Sequence, residues 1–130
     1  MGPLAVRIRA EVDVERACQA ARALAKECDM DAVAQECVVL ATAELGSNLL
    51  RYAQDGDLQV MRIDGPRRGI LVVSEDTGPG IPDLVAARVD GFSTGGGLGG
   101  GLGAVERLMD ETEMRSGATG TTITARKWSD

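Results

Sequence analysis

The stretch Gly95-Gly96-Gly97-Leu98-Gly99-Gly100-Gly101-Leu102-Gly103 holds seven glycines in nine residues. Glycine loses more backbone entropy on folding than any other residue, so such a run is costly to order unless its backbone has a role. Without Cβ atoms, its N–H groups can converge on phosphoryl oxygens. The apolar spacing that follows predicts a helix from about Gly101 to Asp110, whose unpaired N-terminal N–H groups would attract the same anion. The stretch therefore predicts a site for a phosphate chain.

A flexible linker is the alternative interpretation of this run. Two leucines interrupt the glycines, and the flanking sequence is not a serine-rich, low-complexity segment. Leu102, Val105 and Leu108 then continue at helical spacing. We therefore favour an ordered loop that leads into a helix.

The overall composition excludes several classes of partner. The chain has 130 residues and a formal net charge of −6. This length predicts a single domain, and the acidic balance argues against binding to nucleic acid or to an anionic membrane. One Trp, one Tyr and one Phe do not make a stacking platform for bases. No stretch has the length and apolar character of a membrane span.

Histidine and cysteine usage narrows the chemistry further. The sequence contains no histidine, and its three cysteines, Cys18, Cys28 and Cys37, lack CxxC spacing. A structural zinc site, a Ser-His or Cys-His catalytic pair and a histidine general base are therefore excluded. The cysteines are predicted to be reduced, partly buried residues of a cytoplasmic protein.

Apolar periodicity and turn residues predict an alternation of strands and helices. In chain order the predicted elements begin with a strand over Leu4–Glu11, a helix capped by Asp13 and ending near Cys28, and a helix capped by Asp31 and ending near Ala53. Strands over Leu58–Ile63 and Gly69–Glu75 follow and are joined as a hairpin at Asp64-Gly65-Pro66. The remaining predicted elements are a short helix over Pro82–Val89, the helix after the glycine run, and a strand pair over Glu111–Ser116 and Thr121–Trp128 that turns at Gly117 to Gly120. This order predicts an α+β fold, a two-layer α/β sandwich with helices on one face of a mixed, largely antiparallel sheet.

Glu44 and Asn48 form a first polar pair, inside the second predicted helix. They are four residues apart, so the carboxylate and the amide lie one above the other on a single helix face. Mg²⁺ takes oxygen ligands, and an amide oxygen is a ligand that adds no negative charge beside phosphates. The carboxylate one turn away could accept a proton from a hydroxyl group. An ordinary solvated helix face is the alternative for this pair.

The segment Asp76-Thr77-Gly78-Pro79-Gly80-Ile81 directly follows an apolar predicted strand. A carboxylate at the end of a buried strand can accept a hydrogen bond from an exocyclic amine, while Gly78 and Gly80 let a flat ring approach the backbone. A simple turn has the same composition and is the alternative. Further along, Gly120-Thr121-Thr122 offers a hydroxyl that could reach a water molecule or Asp76.

Together these segments resemble the ATP-binding boxes of the GHKL (Bergerat-fold) ATPases, and the resemblance covers nearly the whole chain. The segment from Glu44 to Asn48 is similar to the N box, and Asp76 to Gly80, Gly95 to Gly103 and Gly120-Thr121 are similar to the three glycine boxes. Within the superfamily the chain most resembles the anti-sigma-factor serine/threonine kinases of the RsbT-type switch kinase group. The stretches EDTGPGIPDL, DGFSTGGGLGGGL and VERLMDE carry that closer likeness.

The resemblance implies a Bergerat fold and a role for each of these residues. Glu44 would be the general base, Asn48 would bind Mg²⁺, and Asp76 would bind the adenine amine of ATP. The further implied nucleotide contacts are Gly78, Gly80, Gly95, Gly96, Gly97, Leu98, Gly99, Gly100, Gly101, Leu102 and Thr121. The implied phosphoacceptor is a serine of a STAS-domain antagonist, and a PP2C-type phosphatase or a sigma factor is a further possible partner. The glycine run is richer in glycine than the family pattern, and Arg51 has no fixed role in that pattern.

Three rival functions differ in what the sequence should contain. The segment from Gly95 to Gly100 formally fits a dinucleotide fingerprint, but no predicted strand precedes it, which disfavours a Rossmann oxidoreductase. A P-loop NTPase is excluded because GxxxxGK[ST] is absent. The remaining alternative is a nucleotide-gated, non-catalytic module that sequesters its partner, as an anti-sigma factor does. Glu44 favours catalysis over that alternative.

Overall fold

A five-stranded sheet carries three helices on one face in the computed structural model, which describes residues 4–52, 56–77, 98–117 and 120–130. The strands are β1 (Leu4–Arg7), β2 (Gly56–Ile63), β3 (Gly69–Asp76), β4 (Glu111–Gly117) and β5 (Gly120–Trp128), and the helices are α1 (Glu11–Glu27), α2 (Ala32–Tyr52) and α3 (Leu98–Leu108). The spatial order of the strands is β1-β2-β3-β5-β4. All pairs among these strands are antiparallel. The two-layer α+β prediction is confirmed, although no parallel pair occurs within the described ranges.

The first strand and helix have different bounds from the predicted ones. β1 ends at Arg7, and α1 begins at Glu11, two residues before the residue predicted to cap it. Asp13 lies in the first turn, where its Oδ2 accepts hydrogen bonds from the backbone N–H groups of Arg9 (2.9 Å) and Ala10 (3.0 Å). The bond from Arg9 is the main cause that lowers the pKa of Asp13 below its ordinary value. The carboxylate thus satisfies N–H groups before the helix rather than inside it.

The second helix follows its prediction closely. Asp31 Oδ1 accepts a hydrogen bond from the Ala34 N–H at 2.8 Å, so Asp31 caps α2 as predicted. The helix continues to Tyr52, and the predicted end at Ala53 lies outside the described residues. The predicted hairpin between β2 and β3 is confirmed, and Gly65 in its turn has a φ of 122°.

The helix after the glycine run begins earlier than predicted, at Leu98 instead of Gly101. The prediction rested on the apolar spacing that continues from Leu102, and the low helix propensity of glycine does not favour an earlier start. Leu102 and Val105 are buried in the core, and their packing outweighs that propensity. The predicted helix over Pro82–Val89 lies outside the described residues.

The core lies between the sheet and the helix layer and is almost entirely aliphatic. Its fully buried large side chains are Leu24, Leu45, Leu58, Ile70, Leu102, Val38, Val60, Val72 and Val105. Gly46 lets α1 and α2 approach closely, because a Cβ at this position would lie 2.8 Å from Val14 Cγ1. None of the helices within the described ranges is both long enough and apolar enough to cross a bilayer.

Polar contacts bind the C-terminal end of β5 to its surroundings. The Trp128 ring lies 4.5 Å from the Arg67 guanidinium carbon, and its indole N–H donates to Glu111 at 2.9 Å. The Trp128 backbone N–H donates to Asp110 Oδ2 at 2.8 Å. The three cysteines are free, as predicted, and burial raises the pKa of the Cys28 thiol, which donates to the carbonyl of Gly69.

Candidate functional site

Asp76 and Thr121 lie side by side at one end of the sheet. Asp76 is the last residue of β3 and pairs directly with Thr121 of β5 on one side and with Gly56 of β2 on the other. Side chains of directly paired residues point to the same face of a sheet. Ser74, two residues before Asp76, is buried under the helix layer, so Asp76 and Thr121 also point toward the helices. Asp76 is half-buried and Thr121 is 5% exposed.

Gly120 allows β5 to begin directly against the end of β3. Its φ is 149°, a conformation that side chains rarely adopt, and a Cβ at this position would overlap the carbonyl oxygen of Asp76. The glycine that precedes Thr121 is therefore a packing requirement of the site. It lets Thr121 and Asp76 lie side by side at the same end of the sheet.

Helix α2 passes over the same end of the sheet. A Cβ on Gly56 would lie 2.7 Å from Leu49 Cδ2, so Leu49 packs directly on the backbone of Gly56. Because Gly56 pairs with Asp76, this contact brings the turn of α2 that carries Asn48 above the Asp76 end of the sheet. The buried residues of α2, among them Leu45 and Leu49, fix the rotation of the helix about its axis. This rotation sets the orientation of Asn48.

Asn48 carries a buried polar atom without a partner. Its Nδ2 is inaccessible to solvent, and no atom in the described part of the chain accepts a hydrogen bond from it. A buried unpaired amide costs folding free energy, so its presence points to a ligand that completes it. Glu44, one turn earlier, is half-buried and forms no ion pair with any described residue. The structure thus places these two predicted residues together on one face of α2.

Helix α3 brings the second half of the glycine run to α2, against which it packs. Leu98, Gly99, Gly100 and Gly101 form its first turn, whose backbone N–H groups have no partner inside the helix. Leu102 is 1% exposed and lies in the hydrophobic core. Only the backbone of Leu102 can therefore meet a ligand. Gly78, Gly80 and Gly95 to Gly97 lie outside the described residues.

Ser116 is a polar residue at this site to which the sequence had assigned no role. Its Oγ lies 2.9 Å from Thr121 Oγ1, and either hydroxyl can be the donor. The two residues are directly paired in the β4–β5 hairpin. This pairing could have been predicted from the sequence, because a hairpin with its turn at Gly117 to Gly120 places Ser116 opposite Thr121. Ser116 therefore fixes the Thr121 hydroxyl from the side of β5 that faces away from Asp76.

Metal ligands are sparse in the described part of the chain. No group of three or more His, Cys, Asp or Glu side chains there could hold a metal ion. The amide oxygen of Asn48 fits Mg²⁺ in kind, and rotation about its Cβ–Cγ bond can exchange the positions of the oxygen and the unpaired Nδ2. A metal ion at this site would take its remaining ligands from phosphate oxygens and water.

Residues 7–127 match the family model described as "Histidine kinase-like ATPase domain". The chain belongs to this family. The match spans all the site residues predicted from the sequence. It confirms the resemblance to the GHKL ATPases.

Relatives in this family include a curated kinase and solved kinase domains. The chain is 44% identical over 125 residues to the Serine/threonine-protein kinase RsbT of Bacillus subtilis (strain 168), a match that covers 95% of this chain and 94% of that protein. The histidine kinase domain from the Erythrobacter litoralis EL346 blue-light activated histidine kinase aligns with a TM-score of 0.55 and 20% identity. That alignment covers 89% of this chain and 63% of the other.

The mycobacterial sensor histidine kinase MprB gives a similar result. Its structure aligns with a TM-score of 0.54 and 17% identity and covers 97% of both chains. At these identities the two histidine kinase structures show that the fold is shared and nothing further. The similarity to RsbT extends over nearly the full length of both proteins and carries the functional comparison.

Proposed function

We propose that this chain is an ATP-dependent serine/threonine protein kinase that phosphorylates a STAS-domain antagonist in a bacterial partner-switching pathway of the cytoplasm. The observation that carries the proposal is the unpaired buried amide of Asn48, held over the Asp76–Thr121 end of the sheet in a chain 44% identical to RsbT. The anti-sigma-kinase motifs in the sequence support the STAS-domain acceptor, and a PP2C-type phosphatase or a sigma factor as a further partner.

Asp76 and Thr121 would bind the adenine ring. The half-buried carboxylate of Asp76 accepts a hydrogen bond from the exocyclic amine, and the Thr121 hydroxyl, held by Ser116, contributes a second polar contact from the neighbouring strand. A buried site that pairs the amine rejects a base that lacks it, because the carboxylate would then lose that hydrogen bond. This arrangement favours ATP over GTP.

The phosphates would lie between Asn48 and the first turn of α3. The N–H groups of that turn and its positive dipole end favour an anionic group. Asn48 would hold Mg²⁺ through its amide oxygen. The metal ion, when bound, supplies charge neutralisation on the phosphate oxygens. The remaining phosphate contacts are assigned to the glycines from Gly95 to Gly101.

Glu44 would act as the general base of the transfer. Its carboxylate accepts the proton of the acceptor serine while the serine oxygen forms a bond to the γ-phosphorus. The bond from that phosphorus to the bridging oxygen breaks, and ADP leaves with the bond's electron pair. Because phosphoryl transfer depends mainly on positioning and charge stabilisation, the base contributes only part of the acceleration. The absence of an ion pair for Glu44 within the described residues is compatible with this role.

A phosphotransfer assay tests the proposal. The full chain is incubated with γ-labelled ATP, Mg²⁺ and purified STAS-domain proteins, and label is expected on a serine or threonine of one of them. The matched control is the same acceptor with that residue changed to alanine. Tight ATP binding without transfer to any candidate would contradict the kinase proposal and favour the sequestering module, and failure to bind ATP would contradict the nucleotide site as well.

A further inference from the structure

A groove of about 770 Å³ runs between α1 and α2 on the outer side of the helix layer. Its floor is apolar or small and includes Cys18, Val39, Ala43 and Leu50, which are all half-buried. The groove contains neither Glu44 nor Asn48, so it lies apart from the candidate nucleotide site. An apolar groove of this size on a helix pair is a common docking place for another helix.

The charges along α1 in this groove are ordered. Glu11, Glu15, Arg22 and Lys26 line it at intervals that repeat the helical turn, so they form one stripe with Cys18 in its middle. The N-terminal half of the stripe is acidic and the C-terminal half is basic. Glu11 and Lys26 are equally far from its midpoint, between Cys18 and Gln19, and so are Glu15 and Arg22.

Most of these charges have no partner within the chain as described. Glu11, Glu15 and Lys26 form no ion pair with any described residue, whereas Arg22 contacts Glu36 at 2.8 Å. Glu11 and Lys26 are fifteen residues apart, about 22 Å along the helix, and cannot reach each other. The stripe therefore presents opposite charges at its two ends without satisfying either end itself.

We propose that this groove is the interface of a homodimer in which α1 packs antiparallel to α1 of a second copy. A two-fold axis through the midpoint of the stripe reverses the helix direction and brings Glu11 opposite the partner's Lys26 and Glu15 opposite the partner's Arg22. Each contact occurs twice because the interface is isologous. Each α1 then lies in the groove between α1 and α2 of the other copy, which packs ridges into grooves.

The charge order selects a second copy over an unrelated helix. A two-fold interface requires a surface that is complementary to itself, and a stripe with opposite signs placed symmetrically about its midpoint has that property. The apolar floor supplies the burial, while the charges set the direction and register of the two helices. This inference is independent of the kinase proposal, because none of the groove residues used here has a part in phosphotransfer.

Sedimentation equilibrium of the full chain tests the interface by charge exchange. The wild type is expected to dimerise with a concentration dependence that weakens as salt is added. Glu11→Lys and Lys26→Glu are each expected to weaken the dimer about tenfold or more, because each turns two attractions into two repulsions. The matched control is Arg16→Glu, an exposed charge on α1 outside the groove, which is expected to leave the dimer unchanged.

An equimolar mixture of the two single variants is the decisive sample. In the mixed dimer the two introduced side chains, of opposite charge, face each other, and the native Lys26 of one copy faces the native Glu11 of the other. A heterodimer is therefore expected to form with close to wild-type affinity, while neither variant dimerises well alone. A single chain that carries both Glu11→Lys and Lys26→Glu is also expected to dimerise with close to wild-type affinity.

Four outcomes would overturn the proposal. In the first, the wild type stays monomeric up to about 100 µM. In the second, the mixture of the two single variants does not associate. In the third, Arg16→Glu weakens the dimer as much as the groove variants do. The fourth is a monomeric wild type whose groove variants lose only their binding to the STAS-domain protein.

Discussion

Thr121 lies directly opposite Asp76 in the β3–β5 pair. The two side chains reach the helix layer from adjacent strands, so they can contact one flat ring from the same side. This relationship depends on strand register, since a slip of one residue would turn Thr121 to the opposite face of the sheet. On the other side of β5, the β4–β5 hairpin pairs Gly117 with Gly120 and Ser116 with Thr121.

Asp76→Asn is expected to weaken ATP binding about 5- to 150-fold, because an amide mispairs with the exocyclic amine at a cost of about 1–3 kcal/mol. Its preference for ATP over GTP should also narrow. Isothermal titration calorimetry measures both effects. The matched control is Glu75→Gln, since Glu75 is exposed on the opposite face and accepts a hydrogen bond from Gln59. Equal affinities of the two variants would contradict the adenine assignment.

Asn48→Ala is expected to weaken binding of Mg²⁺-ATP more than binding of metal-free ATP, because it removes an oxygen ligand. The same change should leave the free energy of unfolding of the apo protein unchanged or raise it, since it removes a buried amide that has no described partner. Calorimetry with and without Mg²⁺, together with urea unfolding, measures the two effects. Ser47→Ala, on the neighbouring residue, is the control. Equal losses of affinity with and without metal would remove Asn48 as a ligand.

Glu44→Gln is expected to slow phosphotransfer about 10²–10⁴-fold, the usual contribution of a positioned base, and nucleotide affinity should change little. The loss should lie toward the lower end, because phosphoryl transfer depends mainly on positioning. Single-turnover transfer of labelled phosphate measures the rate. Glu36→Gln, which changes a carboxylate two turns earlier on α2 that pairs with Arg22, should transfer at the wild-type rate. A Glu44→Gln enzyme as fast as that control would show that Glu44 is structural.

Gly120→Ala is expected to lower the free energy of unfolding by about 1–3 kcal/mol, because its Cβ would overlap the Asp76 carbonyl at a backbone conformation that alanine disfavours. ATP affinity should fall with it. Its cross-strand neighbour supplies the control, since a Cβ on Gly117 would meet nothing within 4 Å. Urea unfolding of both variants decides the point, and a Gly120→Ala protein no less stable than Gly117→Ala would refute the close approach.

Asp13→Asn is expected to lower the melting temperature at neutral pH, because the carboxylate accepts hydrogen bonds from two backbone N–H groups. These bonds lower the pKa of Asp13 in the folded state. Its stabilising effect is therefore fully present above the unfolded pKa of about 3.9 and is lost as the pH falls through the lower folded value. Circular dichroism melts of both proteins at several pH values should show a difference that shrinks in acid. A difference independent of pH would contradict this account.

The order and type of the described elements could be predicted from the sequence, because each has a strong local signal. Alternating apolar residues define the strands, and Asp31 caps α2 as its side chain predicts. The start of α3 was wrong by three residues, because the burial of Leu102 and Val105 is a tertiary effect that glycine propensity does not contain. Asp13 was misplaced because a carboxylate can satisfy N–H groups from the cap or from the first turn.

Only those features of the candidate site that depend on local sequence could be predicted. Spacing along one helix was enough to place Glu44 and Asn48 on a common face. The insertion of β5 beside β3, which brings Thr121 to Asp76, depends on long-range strand pairing that no local pattern encodes. The unpaired state of the Asn48 amide likewise becomes visible only when its surroundings are known.

Trp128 is an intrinsic fluorophore at a known distance from the candidate nucleotide site. Trp128 ends β5 and Thr121 is the second residue of that strand, so about 23 Å of β5 separates Trp128 from Thr121 at the candidate site. It is the chain's single tryptophan, and its ring is held by Arg67 and Glu111. Its fluorescence will therefore report unfolding of the sheet. A spectral change on addition of ATP would mean that binding at one end of the sheet alters the surroundings of Trp128 at the other end.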